Sequence, residues 1–150
     1  MPLSPLLFSR RTAIAGAVIL LVSSARSTAQ SQAERALPEQ RWYEAANEMK
    51  RLAESLGDQP YGAVVVLDGK IVGGAPSRVI KNQNPDAHAE RGAIHDAQRR
   101  LGRTLLSGAV LYSTSRPCSL CEAAAAQAAV SRMYFGSSLA DAGVPSQPRR

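Results

Sequence analysis

Between Trp42 and Leu56 apolar residues recur at steps of three and four: Trp42, Ala45, Ala46, Met49, Leu52, Ala53 and Leu56 fall on one stripe. That period predicts an amphipathic helix over "EQRWYEAANEMKRLAESLG", with Pro38 near its first turn and Gly57 at its stop. The pattern then changes. "YGAVVVLDGKIVGGA" carries two strand-like runs, Val64–Leu67 and Ile71-Val72, around Asp68-Gly69, a strong hairpin turn pair. The unbroken apolar run Ala63–Leu67 predicts a strand buried on both faces. Residues 76–86 are polar, with a proline near each end, and read as a loop.

A second helical period runs from Ala87 to Leu101, with Ala89, Ala93, Ile94, Ala97 and Leu101 as its inner face and Gly102 as its stop. "GAVLYST" (108–114) predicts a third strand, Pro117 opens a third helix through "CSLCEAAAAQAAV", and "MYFGS" (133–137) predicts a fourth strand. The remaining "SLADAGVPSQPRR" reads as irregular. Helix, hairpin, helix, strand, helix, strand implies an α/β fold with a mixed sheet covered by helices on both faces.

The chain has 150 residues, 45% hydrophobic and 20% charged, which fits one globular domain with a real core. Apolar runs stay below the length of about 18 residues that a membrane-spanning helix needs. The net charge is +6, but Arg10, Arg11 and Arg26 lie in the first 29 residues with no acid. The rest carries 15 basic against 12 acidic side chains, or +3. That excess is too mild and scattered to predict a nucleic-acid groove.

Residues 1–29 read as an address. Arg10-Arg11 precede the short apolar run Ala13–Val22, and Ser27-Thr28-Ala29 offers small residues at a cleavage site before Gln30. The order is similar to a bacterial twin-arginine signal. It implies passage through the twin-arginine export machinery, a periplasmic or extracellular product over residues 30–150, and no membrane attachment after cleavage. A frayed helix or an uncleaved anchor is the alternative. The twin-arginine route carries folded proteins, so a metal could be loaded before export.

Candidate chemistry concentrates in two segments, "NPDAHAERGAI" (84–94) and "RPCSLCEA" (116–123). Cys118 and Cys121, three apart at a helix start, face the same side with Cβ atoms roughly 5–6 Å apart. Two thiolates at that spacing can share one tetrahedral metal, and the helix N-terminus favours their ionised forms. His88 can supply a third ligand. Three protein ligands leave one position open, the form of a catalytic zinc site, where a bound water is acidified toward a pKa of about 7. Glu90 then has work as a base. On a helix, residues two apart point about 200° from each other. His88 and Glu90 can converge only if His88 stands outside the helix, and Asn84-Pro85-Asp86 predicts that. His95, about 10.5 Å further along the helix than His88, is not a ligand of the same ion.

Each element has a bland reading: a redox or disulfide CxxC, a surface histidine, a carboxylate placed for the helix dipole. Together, "HAE" followed 27 residues after its glutamate by "PCSLC" matches the H-x-E…P-C-x-x-C signature of zinc deaminases. The chain resembles the cytidine/deoxycytidylate deaminase superfamily, and more closely its branch of bacterial guanine deaminases and tRNA-specific adenosine deaminases. The resemblance covers Tyr43–Gly136 through "PYGAVVVLDGKIV", "AHAERGAI", "LSGAVLYST", "PCSLC" and "VSRMYFG". It implies a three-layer α/β/α fold, one Zn²⁺ per subunit held by His88, Cys118 and Cys121, and usually a homodimer. It also implies hydrolytic deamination of a small-molecule nucleobase or nucleoside, with Glu90 shuttling protons and the Ala89 N–H donating to the base.

Two positions depart from that pattern. Purine deaminases of the branch often place an Asn eleven residues before the zinc histidine; here Ser77 stands there, with Asn82 and Asn84 nearer the histidine. A hydroxyl makes fewer directed bonds than an amide, so Ser77 as substrate contact implies relaxed or altered base choice. Arg116 precedes Pro117 where relatives often carry Glu, and reads as a solvent-facing residue. Relatives also continue further beyond "YFG", so the fold is expected to be C-terminally short. Three readings stay open: an exported zinc deaminase, a catalytically weak zinc-binding module of the same fold, and a thiol–disulfide protein. A tRNA adenosine deaminase enters if the export signal is false.

Overall fold

The computed structural model describes residues 39–147. The segment read as an export signal, residues 1–29, lies outside the described residues. Three helices and five strands follow one another: α1 (Gln40–Ser55), β1 (Gly62–Leu67), β2 (Lys70–Pro76), α2 (Ala89–Leu101), β3 (Val110–Ser113), α3 (Ser119–Gln127), β4 (Arg132–Phe135) and β5 (Ala140–Gly143). Asp68 and Gly69 both have positive φ, 50° and 69°, so the two-residue turn has the hand that suits the twist of β1 and β2.

The strands lie in one sheet of order β2-β1-β3-β4-β5. β1 is antiparallel to both β2 and β3, β3 and β4 are parallel, and β5 returns antiparallel to β4. The parallel pair is joined through α3, as a parallel pair requires a crossover. Strand alternation divides the core into two layers. Val64, Val66 and Tyr112 pack with Trp42 and Ala46 of α1 on one face. Ala63, Val65, Leu111 and Met133 pack with Ala89, Ala93, Ile94 and Ala97 of α2 and Ala125 of α3 on the other. β1 is thus buried on both faces, as its unbroken apolar run predicts.

The helices sit very close to the sheet. A Cβ on Gly62 would lie 2.2 Å from the Ala46 carbonyl oxygen, and one on Gly73 would lie 2.4 Å from that of Ala93. Glycine in the strands and alanine on the helices make that approach possible, and it leaves some larger apolar residues outside. Leu52, Leu56 and Leu101, expected on inner faces, are 39%, 37% and 37% exposed. A second difference is β5. "ADAG" has no β-branched residue and reads as irregular, yet β4 offers it an edge. The pairs Tyr134↔Asp141 and Phe135↔Ala140 form across it, with an Arg132–Asp141 ion pair. Among the described residues no helix is long and apolar enough to cross a membrane.

Candidate metal centre and active site

The N-terminal ends of α2 and α3 lie side by side. Asn84 shapes the approach to α2: its Oδ1 accepts the Asp86 N–H at 2.9 Å and its carbonyl accepts the Ala87 N–H at 3.1 Å. His88 follows in extended conformation, φ −67° and ψ 150°, immediately before the first helical residue. That backbone is the condition under which His88 and Glu90 can face one site. Cys118 is likewise extended (φ −76°, ψ 168°) just before α3, so the helix begins at Ser119 and not at Pro117, while Cys121 lies one turn in and is buried.

Three donor atoms converge there. His88 Nδ1 is 3.6 Å from Cys118 Sγ and 3.4 Å from Cys121 Sγ, and the three ligand atoms lie within 4.8 Å of one another. Both cysteines are free thiols. A tetrahedral zinc with ordinary bond lengths would hold nitrogen and sulfur about 3.5 Å apart. The donor set therefore fits zinc in kind, number and spacing, and leaves one position open. Among the described residues this is the one such cluster, and His95 stands outside it.

Glu90, the second residue of α2, is only 5% exposed. Burial raises the pKa of its carboxyl, against the pull of its own backbone N–H, the charge of His88 and a contact with Cys121 Sγ at 3.7 Å. The Cys121 thiol is pushed up by burial first, then by the charge of Glu90. A cation shared by the sulfurs would reverse the direction for the thiol.

Glu90 opens onto a cavity of about 340 Å³, which Gln59, Tyr61, Ser77, His88, Ala89, Arg116 and Cys118 also line. A larger cavity of about 430 Å³ lies between α2 and β2 with the loop that follows it, past Arg91 and His95. It reaches His88 but neither Glu90 nor the cysteines, whereas the smaller one touches His88, Glu90 and Cys118. Ala89 begins α2, where N–H groups have no acceptor within the helix, and its backbone is available to a ligand in the cavity. Arg116 is exposed, with its guanidinium 5.8 Å from the Phe135 ring centre.

Ser77 is 1% exposed, and its hydroxyl donates to Asp58 Oδ1 at 2.9 Å. Asp58 is a feature that sequence reasoning missed. Burial opposes its ionisation, but the Lys81 and Gln59 N–H groups, the Ser77 hydroxyl and the Ile80 N–H outweigh that and hold its carboxyl down at about 2. It ties the segment before β1 to the loop after β2. The available signal was a lone acid before a strand, which points as readily to solvent.

Comparison with known proteins supports the same picture. The tRNA-specific adenosine deaminase of Agrobacterium fabrum is 40% identical over 87 residues, covering 56% of this chain and 57% of that protein. The guanine deaminase of Bacillus subtilis is 35% identical over 83 residues, covering 55% and 53%. The chain thus spans little more than half the length of these curated relatives. The structure of a tRNA:A34 deaminase superposes with a TM-score of 0.63 at 37% identity, covering 65% of this chain and 71% of the other. The crystal structure of the Bacillus subtilis guanine deaminase gives 0.63 at 29% identity, covering 67% and 64%. The five-stranded mixed sheet with its three helices is the cytidine deaminase-like fold. With the family model matching residues 37–143, the chain belongs to the MafB19-like deaminases.

Proposed function

We propose that this protein is a hydrolytic deaminase of an amino-bearing nucleobase or nucleoside, with one Zn²⁺ held by His88, Cys118 and Cys121 and Glu90 as its proton shuttle. The observation that carries the proposal is the convergence of those three donors beside a buried carboxylate that lines a cavity. When bound, zinc supplies Lewis acidity and lowers the pKa of a water to about 7. The chain's own residues do the rest. Overall, water replaces the exocyclic amine by an oxygen, and ammonia leaves. Glu90 takes a proton from the attacking water, passes it to the ring nitrogen, and afterwards moves a proton to the departing amine. Its burial keeps bulk water from competing for these transfers. The Ala89 N–H, fixed at the start of α2, donates to the base.

The tRNA-specific relatives favour a second substrate form, the same reaction on a base within tRNA. Ammonia release from guanosine, cytidine, adenosine, their free bases and tRNA tests both. Release from at least one supports the activity, and release from none with zinc bound contradicts it. We further propose that residues 1–29 direct export by the twin-arginine route to the periplasm or beyond, on the Arg10-Arg11 pair and the apolar run behind it. A homodimer is proposed on the likeness to the family.

A further inference from the structure

The hydroxyl of Ser77 gives its one proton to Asp58. A residue that bears a carboxamide, Gln59, stands at the cavity wall. Gln59 lines the same cavity as Glu90 and is half-buried, and among the described residues no hydrogen bond occupies its side-chain amide.

We propose that Gln59 is the specificity-determining residue of this site and reads the edge of the base. The proposal rests on the reading of the site as a deaminase. The backbone of Gln59 is held in place: its N–H donates to Asp58 Oδ1 at 2.8 Å, and Asp58 Oδ2 accepts the Lys81 N–H at 2.8 Å. Asp58 is therefore a positioning residue, and Ser77 serves it. A carboxamide presents an acceptor and a donor side by side, and it pairs best with an edge that offers the complementary two. Outside its reacting amine, guanosine presents N1–H beside O6. Adenosine presents only ring acceptors there, and cytidine a carbonyl beside a ring acceptor. Gln59 thus selects a base whose ring carries an oxo group next to an N–H. A site built to satisfy both groups rejects analogues that lack one.

The test is the equilibrium affinity of the zinc-supplied full chain for guanosine, adenosine and cytidine, measured by calorimetry in Glu90→Gln, which does not consume the nucleoside, and in that parent carrying Gln59→Leu or Ser77→Ala. The parent is expected to bind guanosine best. Gln59→Leu should weaken guanosine by about 10- to 100-fold and collapse the preference, at an unchanged melting temperature. Ser77→Ala should lower the melting temperature and keep the order of the three nucleosides. A parent that prefers another nucleoside, or binds none, overturns the proposal. So does a preference that survives Gln59→Leu or vanishes only in Ser77→Ala. Guanosine bound with the expected preference, but releasing no ammonia with the zinc-loaded wild type, would overturn the deaminase reading while supporting Gln59 as the base reader.

Discussion

Asp58 shows how one side chain orders a site without touching the chemistry. It is 7% exposed, yet it remains ionised because four donors from Gln59, Ser77, Ile80 and Lys81 surround it. Its carboxyl titrates at about 2 in the fold, below the ordinary value of about 3.9 in an unfolded chain. The sign follows from linkage: the fold favours the ionised form. The stability Asp58 contributes is complete above about pH 4 and is lost as pH falls toward 2. Asp58→Asn should therefore unfold at a lower temperature than wild type near pH 6. The gap between them should narrow between pH 4 and pH 2, as read by circular dichroism melts. A gap independent of pH would mean that Asp58 acts by shape alone. The metal-type donors His88, Cys118 and Cys121 and the carboxylate of Glu90 are, by contrast, legible in the sequence, because their chemistry is local and they sit in two short motifs. Asp58 was not legible, because its four donors come from segments up to 23 residues away and only the folded loop collects them.

At the scale of elements, the site is a meeting of two helix starts. α2 brings His88 and Glu90, and α3 brings Cys118 and Cys121. The two helices share a face of the sheet, with Ala93 and Ala97 of one and Ala125 of the other in a single apolar layer. Zinc would pin these elements across about 30 residues of chain. Cys118→Ser should lose zinc and lower the melting temperature by more than about 5 °C, and a chelator should lower the wild type similarly while leaving the variant unmoved. Equal melting temperatures with full zinc content would show that Cys118 is not a ligand. Periodicity sufficed for α1, α2 and the β1–β2 hairpin because each pattern is long and interrupted by glycine or a turn pair. It failed for β5, whose four residues gain their strand character from the open edge of β4. It failed also for Leu52, Leu56 and Leu101, since period alone cannot say how close a helix approaches its sheet.

For the whole molecule, address and activity make separable predictions. Replacing Arg10 and Arg11 by lysine should leave unprocessed protein in the cytoplasm, as read by fractionation and the N-terminal sequence. Unchanged processing and location in that variant would contradict twin-arginine export. The central claim, that a donor cluster and a buried carboxylate form a hydrolytic deaminase, is tested most directly by Glu90→Gln. That side chain keeps the shape and hydrogen-bonding reach of glutamate but cannot take a proton. A group serving several proton transfers contributes at or beyond the upper end of about 10²–10⁴-fold. The measurement is ammonia release on the best substrate together with zinc content and a melting curve for the same preparation. The account predicts near-normal zinc and folding with release reduced by at least about a thousandfold; substantial release from the zinc-loaded variant would contradict it.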